Sequence, residues 1–523
     1  MACGMGYVAG FNVPKLRRLK RQRYSWEEEE EDDQADHGDE RFAGVASVEE
    51  LQRQLTKRHR TAEDILAASE ALSKAVQGKL LALSDLPLVV VAACLVWYDL
   101  RMLPAVGRGV AAALRQKRVA VDLSLNHKRV RHHDVKTLTC AGYFRVSNAW
   151  LHGDLTDGQL ADLVSLKGLA NSISILSLHG CEELVNASSL GLCTRLRNLD
   201  LSWCVRLEDF AGLSACTQLK SLSLTECNSM KHVQGLHGCA ELQELYLNWC
   251  ARLVDISGVA GCKNLLVLDL TGDASLSHLR GLGSCGELQT LFLSKMPRLS
   301  DVSELASCPS LTYLNASDSR ITDFSALGSC ACLKQVDLSS SGRLVSLEGI
   351  DGCVELLEAD IAGCRNLTDV SALGACKHLQ TLDLSNSPKL VDVAALGQCR
   401  SLRELDLFNC PKVESVSDLG ACRMLRSLNL SRCTHLRYVS GLKSCSDLMW
   451  LDLSVCDNLV DVSSLRDCAK LVSLNFSGSE ALPDIRQLAA CDRLRMLNVD
   501  GTNGEGAVDQ QQVPLDSNVV APP

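Results

Sequence analysis

The chain has 523 residues, 46% hydrophobic and 22% charged, with a formal net charge of −10 at pH 7. That balance fits a soluble globular chain and argues against a general nucleic-acid binder, which needs a basic face to meet phosphate. A single compact core is unusual at this length, so several domains or a core that grows linearly is expected.

Residues 1–45 read as a disordered tail. A basic cluster from Lys15 to Arg23 is followed by seven consecutive acids, Glu27 to Asp33. Like-charge blocks repel themselves and stay solvated. The basic run fits a nuclear-import signal, part of an organelle-targeting segment or a plain solvated tail. No secretory leader is read, so a reducing compartment, cytoplasmic or nuclear, is expected.

From residue 46 to 118 the pattern turns helical. Ser47-x-x-Glu50 and Thr61-x-x-Asp64 are helix starts, and Ile65, Ala68, Leu72 and Ala75 share one face. Residues 83–114 then carry Leu86-Pro87, Leu95, Asp99-Leu100, Leu103 and Arg108. This spacing resembles the F-box, a short three-helix module that docks on the Skp-type adaptor of cullin ubiquitin ligases. It departs from the family pattern at Gly107 and Val110. The resemblance implies adaptor contacts at Leu86, Pro87, Leu95, Leu100 and Leu103. The alternative is a plain helical cap covering the first sheet edge of the C-terminal repeats. The apolar run from Leu86 to Trp97 is twelve residues, short of the roughly 20 that a membrane-spanning helix needs.

Residues 119–172 read as two irregular capping units. Their strands lie near Val119–Leu123 and Val146–Leu151, followed by Leu155, Leu160 and Leu163. His127, His132, His133 and Asp134 fit no standard metal-ligand spacing and read as a solvated loop.

From Ile173 to about Thr502 one phrase recurs every 23 residues. Units start at 173, 196, 219, 242, 265, 288, 311, 333, 356, 379, 402, 425, 448 and 471, with a partial unit from 494. The step from 311 to 333 is the one step of 22, with the missing residue between Asp318 and Arg320. A fixed period in this range signals a solenoid in which each unit packs on its neighbours. The phrase, as in Leu196-Arg-Asn-Leu199-Asp-Leu201-Ser-Trp-Cys204, resembles the leucine-rich repeat. An α/β solenoid is therefore expected, a parallel sheet with short 3-10 turns on its convex side. The tail after residue 502 reads as disordered.

Within the repeat, alternation puts positions 4 and 6 on the buried face of a short strand and positions 3, 5 and 7 on the other. Aspartate recurs at position 14 (Asp209, Asp255, Asp301, Asp369, Asp392, Asp461, Asp484), where an Asx-type cap would start a tight helical turn. Fourteen cysteines occupy position 21 and eight position 9. Stacked copies with parallel Cβ vectors have poor disulfide geometry, so small buried thiols are expected. The aspartates at position 5 (Asp200, Asp269, Asp337, Asp360, Asp383, Asp406, Asp452) read as consensus residues bonding Ser hydroxyls, rather than as a metal or acid–base array.

No catalytic constellation, metal site or cofactor motif is read. The informative departures are large aromatics at variable positions of the concave side: Trp203, Tyr246, Trp249, Phe292, Tyr313, Phe408 and Trp450. Glu244, Lys295 and Arg432 lie nearby. Exposed aromatics on an open face suit a protein interface. The expectation is a non-catalytic protein-binding solenoid, monomeric alone. The F-box resemblance implies a substrate-recognition adaptor of a cullin ubiquitin ligase; the alternative is a scaffold in a multiprotein or ribonucleoprotein assembly.

Overall fold

A computed structural model of the chain describes residues 120–121, 145–146, 148–151, 155–165, 167–479 and 485–502. The F-box-like residues Leu86, Pro87, Leu95, Leu100 and Leu103 lie outside them, as do both terminal tails. All described residues fall in one compact unit.

The repeats form a leucine-rich-repeat solenoid. Sixteen three-residue strands, from Asn148–Trp150 to Met496–Asn498, pair in parallel and in strict chain order. Each strand occupies repeat positions 3–5, so like positions stand side by side: Leu199 pairs with Leu222, and Leu222 with Leu245. The 22-residue unit keeps this register, with Tyr313 opposite Gln335 and Asn315 opposite Asp337. Its missing residue is absorbed in the connection after the strand, and the sheet runs on uninterrupted. A separate two-stranded pair joins Ala120–Val121 to Arg145–Val146.

Fourteen 3-10 helices, from Ser188–Leu192 to Arg486–Ala490, line the convex side. α-Helix among the described residues is confined to Asp157–Val164 and Lys167–Ala170. Asp157–Val164 opens on a capping box between Thr156 and Gln159, and its Leu160, Leu163 and Val164 are buried. Asp157 also reaches the first full repeat, where its Oδ1 accepts the Val185 and Asn186 amides. None of these helices is long and apolar enough to cross a membrane.

Six of the seven position-14 aspartates start the 3-10 turns as the sequence predicts, and the seventh, Asp484, lies outside the described residues. The Oδ1 atoms of Asp209, Asp255, Asp301, Asp369, Asp392 and Asp461 each accept the amide two residues on, at 2.8–3.0 Å. That amide would otherwise be one of the unpaired donors at a helix start.

Eight positions of each unit (1, 4, 6, 9, 12, 15, 18 and 21) point into one continuous core, as Leu196, Leu199, Leu201, Cys204, Leu207, Phe210, Leu213 and Cys216 do. The ladder cysteines are all free and buried. Beyond filling space, the ladder thiols from Cys204 onward carry hydrogen bonds across repeat boundaries. At position 9, the Sγ–H of Cys204, Cys227, Cys250, Cys364, Cys410, Cys433 and Cys456 donates to the position-6 carbonyl of the preceding unit at 3.2–3.4 Å. At position 21, thiols from Cys216 to Cys491 donate likewise to the preceding position-18 carbonyl, at 3.2–3.9 Å. Those carbonyls sit where the backbone turns, so a weak donor there satisfies a buried acceptor.

Burial disfavours the thiolate and pushes thiols such as Cys193 and Cys239 up to about 12. Since the thiolate is the reactive form, native alkylation should label exposed Cys332 first among the described cysteines. The other 22 should react only on unfolding. Mass spectrometry of peptides after timed alkylation checks this; early labelling spread along the ladder would refute it.

Candidate functional site: the strand-bearing face and its rim

The open face is built by positions 3 and 5, with positions 7 and 8 forming the turn at its rim. Position 5 has a structural duty. The Oδ1 of Asp200, Asp269, Asp337, Asp360, Asp383, Asp406 and Asp452 accepts the position-7 amide at 2.8–3.1 Å. Asn315, Asn429, Asn475 and Asn498 make the same bond at 3.0 Å. Ser hydroxyls add to it, within the unit as Ser339 does to Asp337 and Ser454 to Asp452, and between units as Ser177 does to Asp200 at 3.2 Å. Between repeats the aspartates also accept neighbouring side-chain amides: Asn429 Nδ2 donates to Asp406 and Asn475 Nδ2 to Asp452.

Two of the predicted site residues abandon this duty. Tyr246 and Phe292 occupy position 5, and neither can cap the following turn. They flank Asp269 in one row, Tyr246 opposite Asp269 and Asp269 opposite Phe292. Tyr313, at position 3 of the next unit, meets Phe292 with ring centroids 5.3 Å apart and planes tilted by 51°. Tyr246, Phe292 and Tyr313 are all half-buried. Burial, then the Glu244 and Asp269 carboxylates, raises the Tyr246 hydroxyl above its ordinary range. Burial likewise raises Asp269. The three rings and the carboxylates among them form one patch.

Trp203 and Trp249 lie one step further along, at position 8 of the turn. Every unit places this residue in the left-handed region. Gly180, Gly272, Gly363, Gly478 and Gly501 fill it in five units, and Asn386 and Asn409 in two more. Trp203 and Trp249 adopt it at φ of 63° and 64°, which costs a non-glycine residue about 1–2 kcal/mol. They are 50% and 42% exposed, so no core packing offsets that strain. Glu226, Lys295, Asp318, Ser340, Arg432 and Val455 take the same conformation in their own units, so the turn imposes it.

The Trp249 indole lies across Gly272, where a Cβ would come within 2.5 Å of the ring. Lys295 Nζ stands 5.5 Å from its centroid. Farther along, the Arg432 guanidinium lies 5.6 Å from the Phe408 ring, and Trp450 stands separately at position 3 of its unit. Between the aromatic patch and Trp450 the face is acidic: Asp337, Asp360, Asp383 and Asp406 stand in register on four successive strands. Glu358 is raised chiefly by burial and accepts Gln335 Nε2 at 3.0 Å. Among the described residues no cluster of three or more His, Cys, Asp or Glu side chains is arranged to hold a metal.

Sequence reasoning misses the rim conformation, although the five glycines in one repeat column carry its signal. It also misses Glu226, which stands between the two tryptophans at position 8.

No protein-family model matches the chain, and no curated protein matches it. Among solved structures, a leucine-rich-repeat protein of Leptospira interrogans superposes with a TM-score of 0.51 at 17% identity, covering 78% of this chain and 94% of that one. An internalin from Listeria monocytogenes gives 0.47 at 18% identity, covering 75% and 93%. The functional domain of the Listeria monocytogenes protein InlJ, which includes a cysteine ladder, gives 0.47 at 19% identity, covering 69% and 72%. The likeness to the Leptospira protein is one of fold.

Proposed function

We propose that the chain is a non-catalytic, protein-binding scaffold that holds a partner against its strand-bearing face. The observation that carries this reading is the exchange at position 5. Tyr246 and Phe292 forgo a turn cap made by eleven other units (Asp200 to Asn498) and set aromatic surface on the open side of the sheet. Residues that break a local rule without a folding benefit mark functional sites, and large rings are the commonest binding hot spots.

The ubiquitin-ligase adaptor role implied by Leu86, Pro87, Leu95, Leu100 and Leu103 is a narrower version of the same reading, supported by the sequence resemblance.

A Phe292→Ala, Tyr313→Ala double variant should lose partner capture by about thirtyfold or more, as removal of a hot spot of ~2 kcal/mol does. The check is quantitative pull-down of the partner identified by crosslinking to the wild-type chain. Undiminished capture with a folded variant would sink this reading.

A further inference from the structure

The rim holds a second recognition element. Position 8 of successive units reads Trp203, Glu226, Trp249, Gly272, Lys295, all five at positive φ. The last three form a complete stack: an indole, a glycine that lets the ring lie flat, and an ammonium over the ring at 5.5 Å. The chain thus contains its own template for cation capture at this rim.

The first three positions share this backbone conformation with two changes of side chain, and the Cβ of Glu226 keeps the Trp203 ring from lying flat as the Trp249 ring does over Gly272. Relative to Trp203, Glu226 stands where Gly272 stands relative to Trp249, and Trp249 stands where Lys295 does. A carboxylate replaces the glycine and an indole replaces the ammonium. The two tryptophans are two strand spacings apart, roughly 10 Å along the rim. Trp203 is 50% exposed, and among the described residues no cation lies over its ring. Glu226 is half-buried, with Oε2 accepting Asn228 Nδ2 at 3.3 Å. An indole face attracts a cation through its quadrupole, and an adjacent carboxylate adds charge of the complementary sign.

We propose that Trp203, Glu226 and Trp249 form a receptor for one arginine or lysine side chain of a basic protein segment. The side chain would sit against the exposed Trp203 ring, beside the Glu226 carboxylate. This deepens the scaffold reading by giving the partner a chemistry: a segment whose cationic residue reaches the rim while its neighbours cross the acidic face.

The test titrates the full chain with an octa-arginine peptide, followed by calorimetry and indole fluorescence, with octa-glutamate as the control. Wild type should bind octa-arginine and not octa-glutamate. Trp203→Gly and Glu226→Gln should each weaken binding by roughly fivefold, with the Trp203→Gly melting temperature unchanged or higher. Tyr438→Ala, exposed just before the Ser440–Ser444 turn and away from the strand-bearing face, should bind as wild type does. Equal affinity in Trp203→Gly and wild type overturns the proposal, as does an equal loss in Tyr438→Ala.

A full chain with Lys15, Arg17, Arg18, Lys20 and Arg21 changed to Gln should also bind as wild type does. A tenfold gain there would make the chain's own basic segment the occupant and overturn the assignment to a partner. Failure here leaves the effect of Phe292→Ala, Tyr313→Ala on capture intact, so the two readings fail separately.

Discussion

Leu247→Ala should lower the unfolding free energy by about 2–5 kcal/mol, whereas Trp249→Gly, two residues on, should change it by less than about 1 kcal/mol. Leu247 sits at position 6, fully buried, and truncation leaves a cavity between neighbouring units that stacked strands cannot close. Trp249 is 42% exposed at a φ of 64°. Its removal loses the contact with Lys295 but relieves a left-handed conformation that glycine adopts freely. Denaturant unfolding with hydrogen exchange on repeats four and five separates the two. A solenoid can open locally, so exchange shows whether the damage stays beside Leu247. Equal losses in both variants would mean that Trp249 belongs to the core and not to a binding rim.

The second large effect concerns Asp273, the single carboxylate in the position-9 column. It is fully buried, its Oδ1 accepts the Cys250 amide at 2.7 Å, and its Oδ2 is buried without a partner. Burial raises its carboxyl to about 9, against roughly 3.9 in an unfolded chain. Below pH 4 both states hold the proton. Between pH 4 and 9 the unfolded chain ionises while the folded one stays neutral, so stability falls as pH rises through that window. Asp273→Asn keeps the acceptor for Cys250 and ionises in neither state, so the pH-linked loss disappears, offset in part by its own unpaired N–H groups. It should raise stability at neutral pH by about 1–3 kcal/mol and flatten the slope. Melting temperatures of both proteins from pH 5 to 9 check this; parallel curves would refute it.

The fold was legible because its signal repeats. Fourteen copies of the same apolar spacing give the strand, the buried face and the convex turn, and Asp209 or Asp369 betrays the cap by being an Asx residue before a short helix. Other features were hidden for physical reasons. The partner of Cys204 is the Leu178 carbonyl, which only the stacking of one unit on the next brings within reach. The aspartates at position 5 read as partners for neighbouring Ser hydroxyls along the sheet, and Ser177 does meet Asp200 in that way. Their main bond goes to the amide two residues on, a property of the turn that no residue type announces. The left-handed rim was masked by its own occupants: Trp203, Glu226, Trp249 and Lys295 do not look like turn formers, and only the glycines in the same column do. Of the candidate site, the aromatic residues could be picked out singly. That Phe292 meets Tyr313 while Phe408 stands apart follows from register, which needs the strands in place.

The thiol bonds between units make every seam alike. Each joint needs one cysteine donor and one backbone carbonyl, with no matched pair of charges and no covalent bond to a particular partner. Serine stands in at Ser341, donating to the Ala316 carbonyl, and the seam still closes beside the shortened unit. A gene encoding such a chain could gain or lose whole units by unequal recombination and still yield a foldable product, so its reach is open to adjustment over evolutionary time while the rim and face residues diverge one copy at a time.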